Sequence, residues 1–140
     1  MSFTLATLKS TVQDYLQVNE TTFNDNLDEF IRESEDRIFS MVQLPEQRKN
    51  VQGTVSQNNR FLATPTDFYA PFSLAVISSN VYSYLLFKHP SFIKEYSPNS
   101  TVTGQPKYYS LFDQSAFEMA PVPNSNYTVE LHYLYKPASL

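Results

Sequence analysis

Two histidines, His89 and His132, are the side chains best suited to move a proton or hold a metal near neutral pH. They lie far apart in the chain, and neither has a second His or a Cys at ligand spacing. His132 sits inside a run that alternates apolar and polar residues, as a half-exposed strand does. Both read as surface or hydrogen-bonded structural residues, so no metal site is expected. A second candidate is the acidic stretch Asp25, Asp28, Glu29, Glu33, Glu35 and Asp36. Paired carboxylates suit acid–base work, but Arg32 and Arg37 are interleaved here, the pattern of a solvated helix face. No Ser/His/Asp set has recognisable spacing, although spacing alone does not exclude a triad. Cysteine is absent, which removes disulfides, thiolate metal sites and a cysteine nucleophile together. Only Gly53 and Gly104 are glycines, so a glycine-rich phosphate loop and a nucleophile elbow are both impossible. The residues point to no catalytic centre and no cofactor.

Ten Tyr and eleven Phe make up an aromatic share of 15%. A base-stacking surface normally comes with a basic patch. Here the ten Lys and Arg are scattered between Lys9 and Lys136, and only Arg48 and Lys49 are adjacent. The aromatics fit a small β core and a protein–protein interface, where Tyr combines an apolar body with a polar tip. They also leave a sugar-binding platform open. A net charge of −4 argues against a general DNA-coating protein. No stretch approaches ~18 apolar residues, so no membrane helix is expected. The opening Met1-Ser-Phe-Thr-Leu has neither a basic nor an apolar leader region, so no signal peptide is expected.

These residues must be carried by folded elements, and 140 residues suffice for one core. Leu5, Leu8, Val12, Tyr15 and Leu16 recur at helical spacing and predict a helix over about 4–18, capped by Ser2 or Thr4. Phe23, Leu27, Phe30, Ile31, Ile38, Met41 and Val42 form an apolar stripe, with Asp25, Asp28, Arg32, Glu35 and Asp36 opposite. They predict a second helix over about 23–42, opened by a near capping box of Thr22 and Asp25 and ended by Pro45. From Arg48 the period changes to alternation. Val51–Val55 is expected to return through a hairpin turn at Gln57-Asn58-Asn59 into Arg60–Ala63. Phe72–Ile77 turns at Ser78-Ser-Asn into Val81–Phe87. His89–Tyr96 is a short helix entered through Pro90, and Ser97–Pro106 is loop. Tyr108–Phe112 pairs with Ala116–Met119, and 121–126 form a turn. Tyr127–Tyr135 is the longest strand. The fold class is α+β: an N-terminal helical hairpin packed with a small antiparallel β unit of short strands.

Leu62-Ala-Thr-Pro-Thr-Asp-Phe68 resembles the Leu-x-x-Pro-x-Asp-Phe signature of head-to-tail adaptor (connector) proteins of tailed bacteriophages. Gly104-Gln-Pro-Lys-Tyr-Tyr109 is similar to that family's Gly-x-Pro-x-x-Tyr stretch. Phe117–Pro123 is similar to its short strand ending in Pro-x-Pro, and Tyr127–Pro137 to its final strand. The motifs occur in the family's order and with its spacing, most firmly from residue 60 to 140. The resemblance implies one adaptor domain over 1–140, about 1–45 helical and 46–140 mainly β with a short helix near 89–96. It also implies that C-terminal helices of the family are missing after Leu140.

The same resemblance implies a structural, non-enzymatic virion protein made in the host cytoplasm. Its copies would form a ring, usually a dodecamer, between the portal protein and a tail nozzle or tail protein, and double-stranded genomic DNA would pass through without specific binding. Pro65, Asp67, Phe68, Gly104, Pro106, Tyr109, Pro121, Pro123, Tyr133 and Pro137 are the motif residues. Each also has a purely structural reading, with prolines as rigid turns and Gly104 as a positive-φ loop position. Asp25, Asp28, Glu29, Arg32, Glu35 and Asp36 are the candidate channel-facing residues. A tail nozzle or tail-tube component is the alternative within this class, and a carbohydrate-binding module the alternative outside it.

Overall fold

The computed structural model describes residues 4–139. The chain divides into two compact units, one holding the chain up to Leu44 with the stretch from Pro137 on, the other Pro45–Lys136. In order, N-terminal helices are followed by a β unit with one short helix, an α+β fold.

In the first unit, α1 spans Leu5–Leu16 and α2 spans Thr21–Met41. Thr4 caps α1 reciprocally with Thr7, its hydroxyl accepting the Thr7 N–H at 3.2 Å. Ser2, the other expected cap, lies outside the described residues. Gln17 ends α1 in the left-handed region at φ 51°. The expected Thr22/Asp25 capping box does not form. The helix begins earlier, Glu20 is its N-cap without a side-chain bond, and Thr22 lies within the first turn. Asp25 consequently falls outside that turn, where the helix dipole is weak. The two helices are tied by a Lys9–Asp28 ion pair and by Gln13 Nε2 donating to Asn24 at 2.6 Å. The apolar stripe of α2 is buried only at Leu27, while Phe30 and Ile38 are each about half exposed.

The second unit contains ten strands and α3. The first sheet has the order β1 (Arg48–Val55), β10 (Tyr127–Tyr135), β3 (Phe68–Ser78), β4 (Val81–Tyr84), every neighbour antiparallel. The second has the order β2 (Phe61–Ala63), β8 (Ala116–Ala120), β7 (Tyr108–Leu111), β5 (Leu86–Phe87). A small parallel pair joins β6 (Thr103–Gly104) to β9 (Val122–Pro123). β10 and the β7–β8 hairpin occupy the expected places. The expected hairpin at 57–59 is corrected: the turn forms, with Asn59 N–H bonded to Ser56 O, but its flanking strands separate. β1 pairs with β10 and β2 with β8, so the turn carries the chain from one sheet to the other. Alternation specifies which side chains face inward and leaves the neighbouring strand open. The Val81–Phe87 return is likewise divided at buried Leu85, β4 staying with β3 while β5 joins β7 in parallel. The stretch 103–104, expected as loop, and 122–123, expected as turn, form the small pair instead.

Val129, Leu131 and Tyr133 alternate inward from β10 and meet Leu74 and Val76 of β3 and Phe117 and Met119 of β8. The Phe117 ring is edge-on to Phe68 at 5.2 Å and to Tyr109 at 5.7 Å. α3 (Pro90–Tyr96) has Pro90 in its first turn and His89 as its cap, and it lies on β7 and β8 with Ile93 buried. Phe117 is fully buried. Phe117→Ala is therefore expected to destabilise the β unit by about 3–5 kcal/mol, and Phe30→Ala to leave it unchanged. Urea unfolding followed by tyrosine fluorescence measures both.

Candidate functional site

The Leu62–Phe68 motif folds as a turn that grips the end of the first sheet. Phe68 N–H closes it on Pro65 O at 3.1 Å. Asp67 then accepts from Lys49 Nζ of β1 at 2.6 Å and from the Tyr133 hydroxyl of β10 at 2.8 Å. One carboxylate thus fastens the turn before β3 to both other long strands of the sheet. Phe68 drops into the core between Phe117 and Tyr133. Lys49 also lies 3.9 Å from the Tyr135 ring centroid. The hydrogen bond from Lys49, and after it that from Tyr133, hold the Asp67 carboxyl below its ordinary 3.8. Burial, reinforced by the facing carboxylate, pushes Tyr133 up to about 12.

The other motif residues have equally local work. Gly104 does not have a positive φ, which corrects that reading. The special feature is space: a Cβ there would lie 3.1 Å from Pro121 Cγ, a contact the proline ring would have to yield to. Its carbonyl accepts the Asn124 N–H at 3.2 Å. Pro106 and Pro123 are buried, and Pro121 is half-buried. Tyr109 is buried between Phe87 and Phe117, and burial raises its hydroxyl above the ordinary 10.0. Pro137 follows β10 and is half-buried.

The acidic candidates are all carried by α2. Asp28 is held by Lys9. Glu35 accepts from Ser139 Oγ at 2.6 Å and lines an apolar groove of about 430 Å3 with Leu27, Ile31 and Ile38. That placement corrects the assignment of Glu35 to the face opposite the stripe. Asp25, Glu29, Arg32 and Asp36 are exposed. The two histidines bond locally: His89 Nδ1 accepts the Ser91 N–H at 3.2 Å, and His132 Nε2 lies 3.3 Å from Glu130 Oε1. Gln52 Nε2 donates to Glu130 at 3.0 Å and, more than His132, draws that carboxyl below its ordinary value. Among the described residues no group of three or more His, Asp or Glu side chains is arranged to hold a metal.

Sequence reasoning passed over one cluster. Glu118 of β8 is fully buried between Lys94 Nζ of α3 at 2.5 Å and Arg60 Nη1 at 3.2 Å. Arg60 Nη2 in turn donates to Ser97 O at 3.0 Å. The cluster ties the C-terminal end of α3 to the second sheet. Its signal was a lone Glu in the apolar run Ala-Phe-Glu-Met-Ala, since a charge in a buried strand requires a partner.

Pro65 and Phe68 of the motif turn line a cleft of about 610 Å3 with Thr64, Thr66, Tyr69 and Leu111. The motif residues brace the strands of the β unit. A family model described as SU10 adaptor protein matches residues 3–140 of the chain. No curated protein matches it.

Asp67 has a lowered folded pKa, so its stabilising effect is complete above the ordinary 3.8 and is lost as pH falls through the folded value. Urea unfolding of the parent and of Asp67→Asn is expected to show a stability gap that is constant near neutrality and closes below pH 3.8. Tyr133→Phe should cost about 1 kcal/mol in the same assay at neutral pH. Arg60→Ala leaves Glu118 with Lys94 alone and should cost about 3 kcal/mol. Replacing Arg60, Lys94 and Glu118 together by Met, Met and Leu should recover most of that loss.

Proposed function

The chain belongs to the SU10 adaptor protein family, and we propose that its copies close into a ring at the head–tail junction of a phage particle through which the genome passes. As a head-to-tail adaptor it is a structural component that meets other phage head and tail proteins. The observation that carries the reading is the extent of the match, from residue 3 to residue 140. Its support in the structure is that Asp67, Phe68, Gly104, Tyr109 and Tyr133 all brace the β unit.

In this reading twelve copies form the ring as a single adaptor domain each, with the portal protein on one side and a tail nozzle or tail protein on the other. A channel for DNA must not bind it. A duplex carries one negative charge per ~1.7 Å of axis, and basic walls would capture it by counterion release. The stretch 1–44 holds eight Asp and Glu against three Lys and Arg. The exposed Asp25, Glu29 and Asp36 of α2, with Arg32 among them, would face the channel. Repulsion would act within roughly 8 Å of the wall at physiological salt.

Electron microscopy of particles is expected to show a ring of this chain between portal and tail, and a junction lacking the chain would overturn the reading. Particles carrying Asp25→Lys with Glu29→Lys should eject DNA more slowly, the more so at low salt. Unchanged ejection would remove the channel assignment and leave the ring.

A further inference from the structure

The first sheet ends on two unoccupied edges. Among the described residues no strand pairs with the outer side of β1 or of β4. Each therefore presents a row of backbone N–H and C=O groups that favours pairing with another strand. Proteins blunt such edges with proline, bulges or charge. β4, Val-Tyr-Ser-Tyr, has none of these, and Val81 and Tyr84 are more than 60% exposed. β1 is eight residues long and pairs with β10 without a register shift, and its only charges are Arg48 and Lys49 at one end. Every β1 residue except Val55 is exposed.

The two edges also suit each other in direction. β1 is antiparallel to β10, β10 to β3, and β3 to β4. An even number of alternating strands leaves the two outer ones running oppositely. When identically oriented copies stand side by side, β4 of one is thus antiparallel to β1 of the next, and neither copy has to turn over. The cross-sheet row Gln52–Glu130–Ala75–Tyr84 puts Gln52 and Tyr84 on one face, so the pleats of the two edges continue as well. Pairing of unlike edges is a heterologous contact, the kind that repeats around a ring, whereas β1 against β1 would stop at a dimer.

We propose that β4 of one copy adds to β1 of its neighbour, joining the first sheets of successive copies into one antiparallel belt. The proposal rests on the ring reading and names the surface that closes the ring. Four residues of β4 make few hydrogen bonds, so a single contact is weak and is sustained where copies are held together.

The chain has no cysteine, so introduced thiols are the only ones it carries. Particles are assembled with Gln52→Cys and Tyr82→Cys on the same chain and treated with a thiol crosslinker spanning about 8 Å, which reaches opposite and diagonal cross-strand positions. A covalent ladder of dimer, trimer and higher species is expected, with monomer only for either single substitution. A ring visible by microscopy without a ladder overturns the edge pairing and leaves the ring reading intact. Dimers from Gln52→Cys alone also overturn it, by showing β1 against β1. Monomer with no ring at the junction overturns both. In the unsubstituted chain, hydrogen exchange of β1 and β4 amides is expected to slow at least ~10-fold from dilute solution to the particle. Unchanged exchange within an intact ring overturns the edge pairing.

Discussion

A strand with neighbours on both sides has no freedom of register. Tyr127–Tyr135 lies between Arg48–Val55 and Phe68–Ser78, and a slip of one residue would turn Val129, Leu131 and Tyr133 out of the core and Glu130 and His132 into it. The Tyr133 hydroxyl on Asp67 pins that register from the side, because it can reach the carboxylate in one alignment only. Lys49 completes the arrangement from the opposite strand. The rest of the β unit is hung on this alignment: Leu74 and Val76 meet the inward face of the strand, and Phe117 and Met119 meet it from the second sheet.

The charges are shared unevenly along the chain. The stretch 1–44 is strongly acidic, while 45–140 holds six acidic and seven basic residues. Several cations of the second stretch are spent internally: Arg60 and Lys94 on Glu118, and Lys49 on Asp67. The β unit also exposes several aromatics, with Tyr69, Phe72, Tyr82, Tyr84 and Phe87 about half exposed or more. Exposed aromatics of this kind fit contact with other proteins.

Much of this was legible in the residues. The helical stripes located both long helices, and the alternation along Tyr127–Tyr135 located the central strand with its ends. Pro90 after His89 announced the short helix. What alternation does not carry is the identity of the neighbour. Ser56–Asn59 has the composition of a hairpin turn and makes one, yet the strands it joins belong to different sheets. Their partners, near residues 118 and 130, are distant in sequence and no local signal refers to them. Gly104 was recognised as special for the wrong physical reason: the constraint is the ring of Pro121, a contact made by folding. The helix stripe was read correctly as apolar, but periodicity does not say how much of it another element of the chain will cover, and only Leu27 is buried. Asp67 was legible as a motif position, whereas its two donors lie 18 and 66 residues away and became visible only in the fold.

At Leu85 the chain leaves one sheet for the other. Val81–Tyr84 is laced to Phe68–Ser78, Leu86–Phe87 is laced to Tyr108–Leu111, and a single buried residue separates the two ladders. Tension drawn along this segment loads both ladders in shear, many bonds side by side, instead of peeling one sheet open bond by bond. A force entering through either layer is divided between the two before any one hydrogen bond bears it alone.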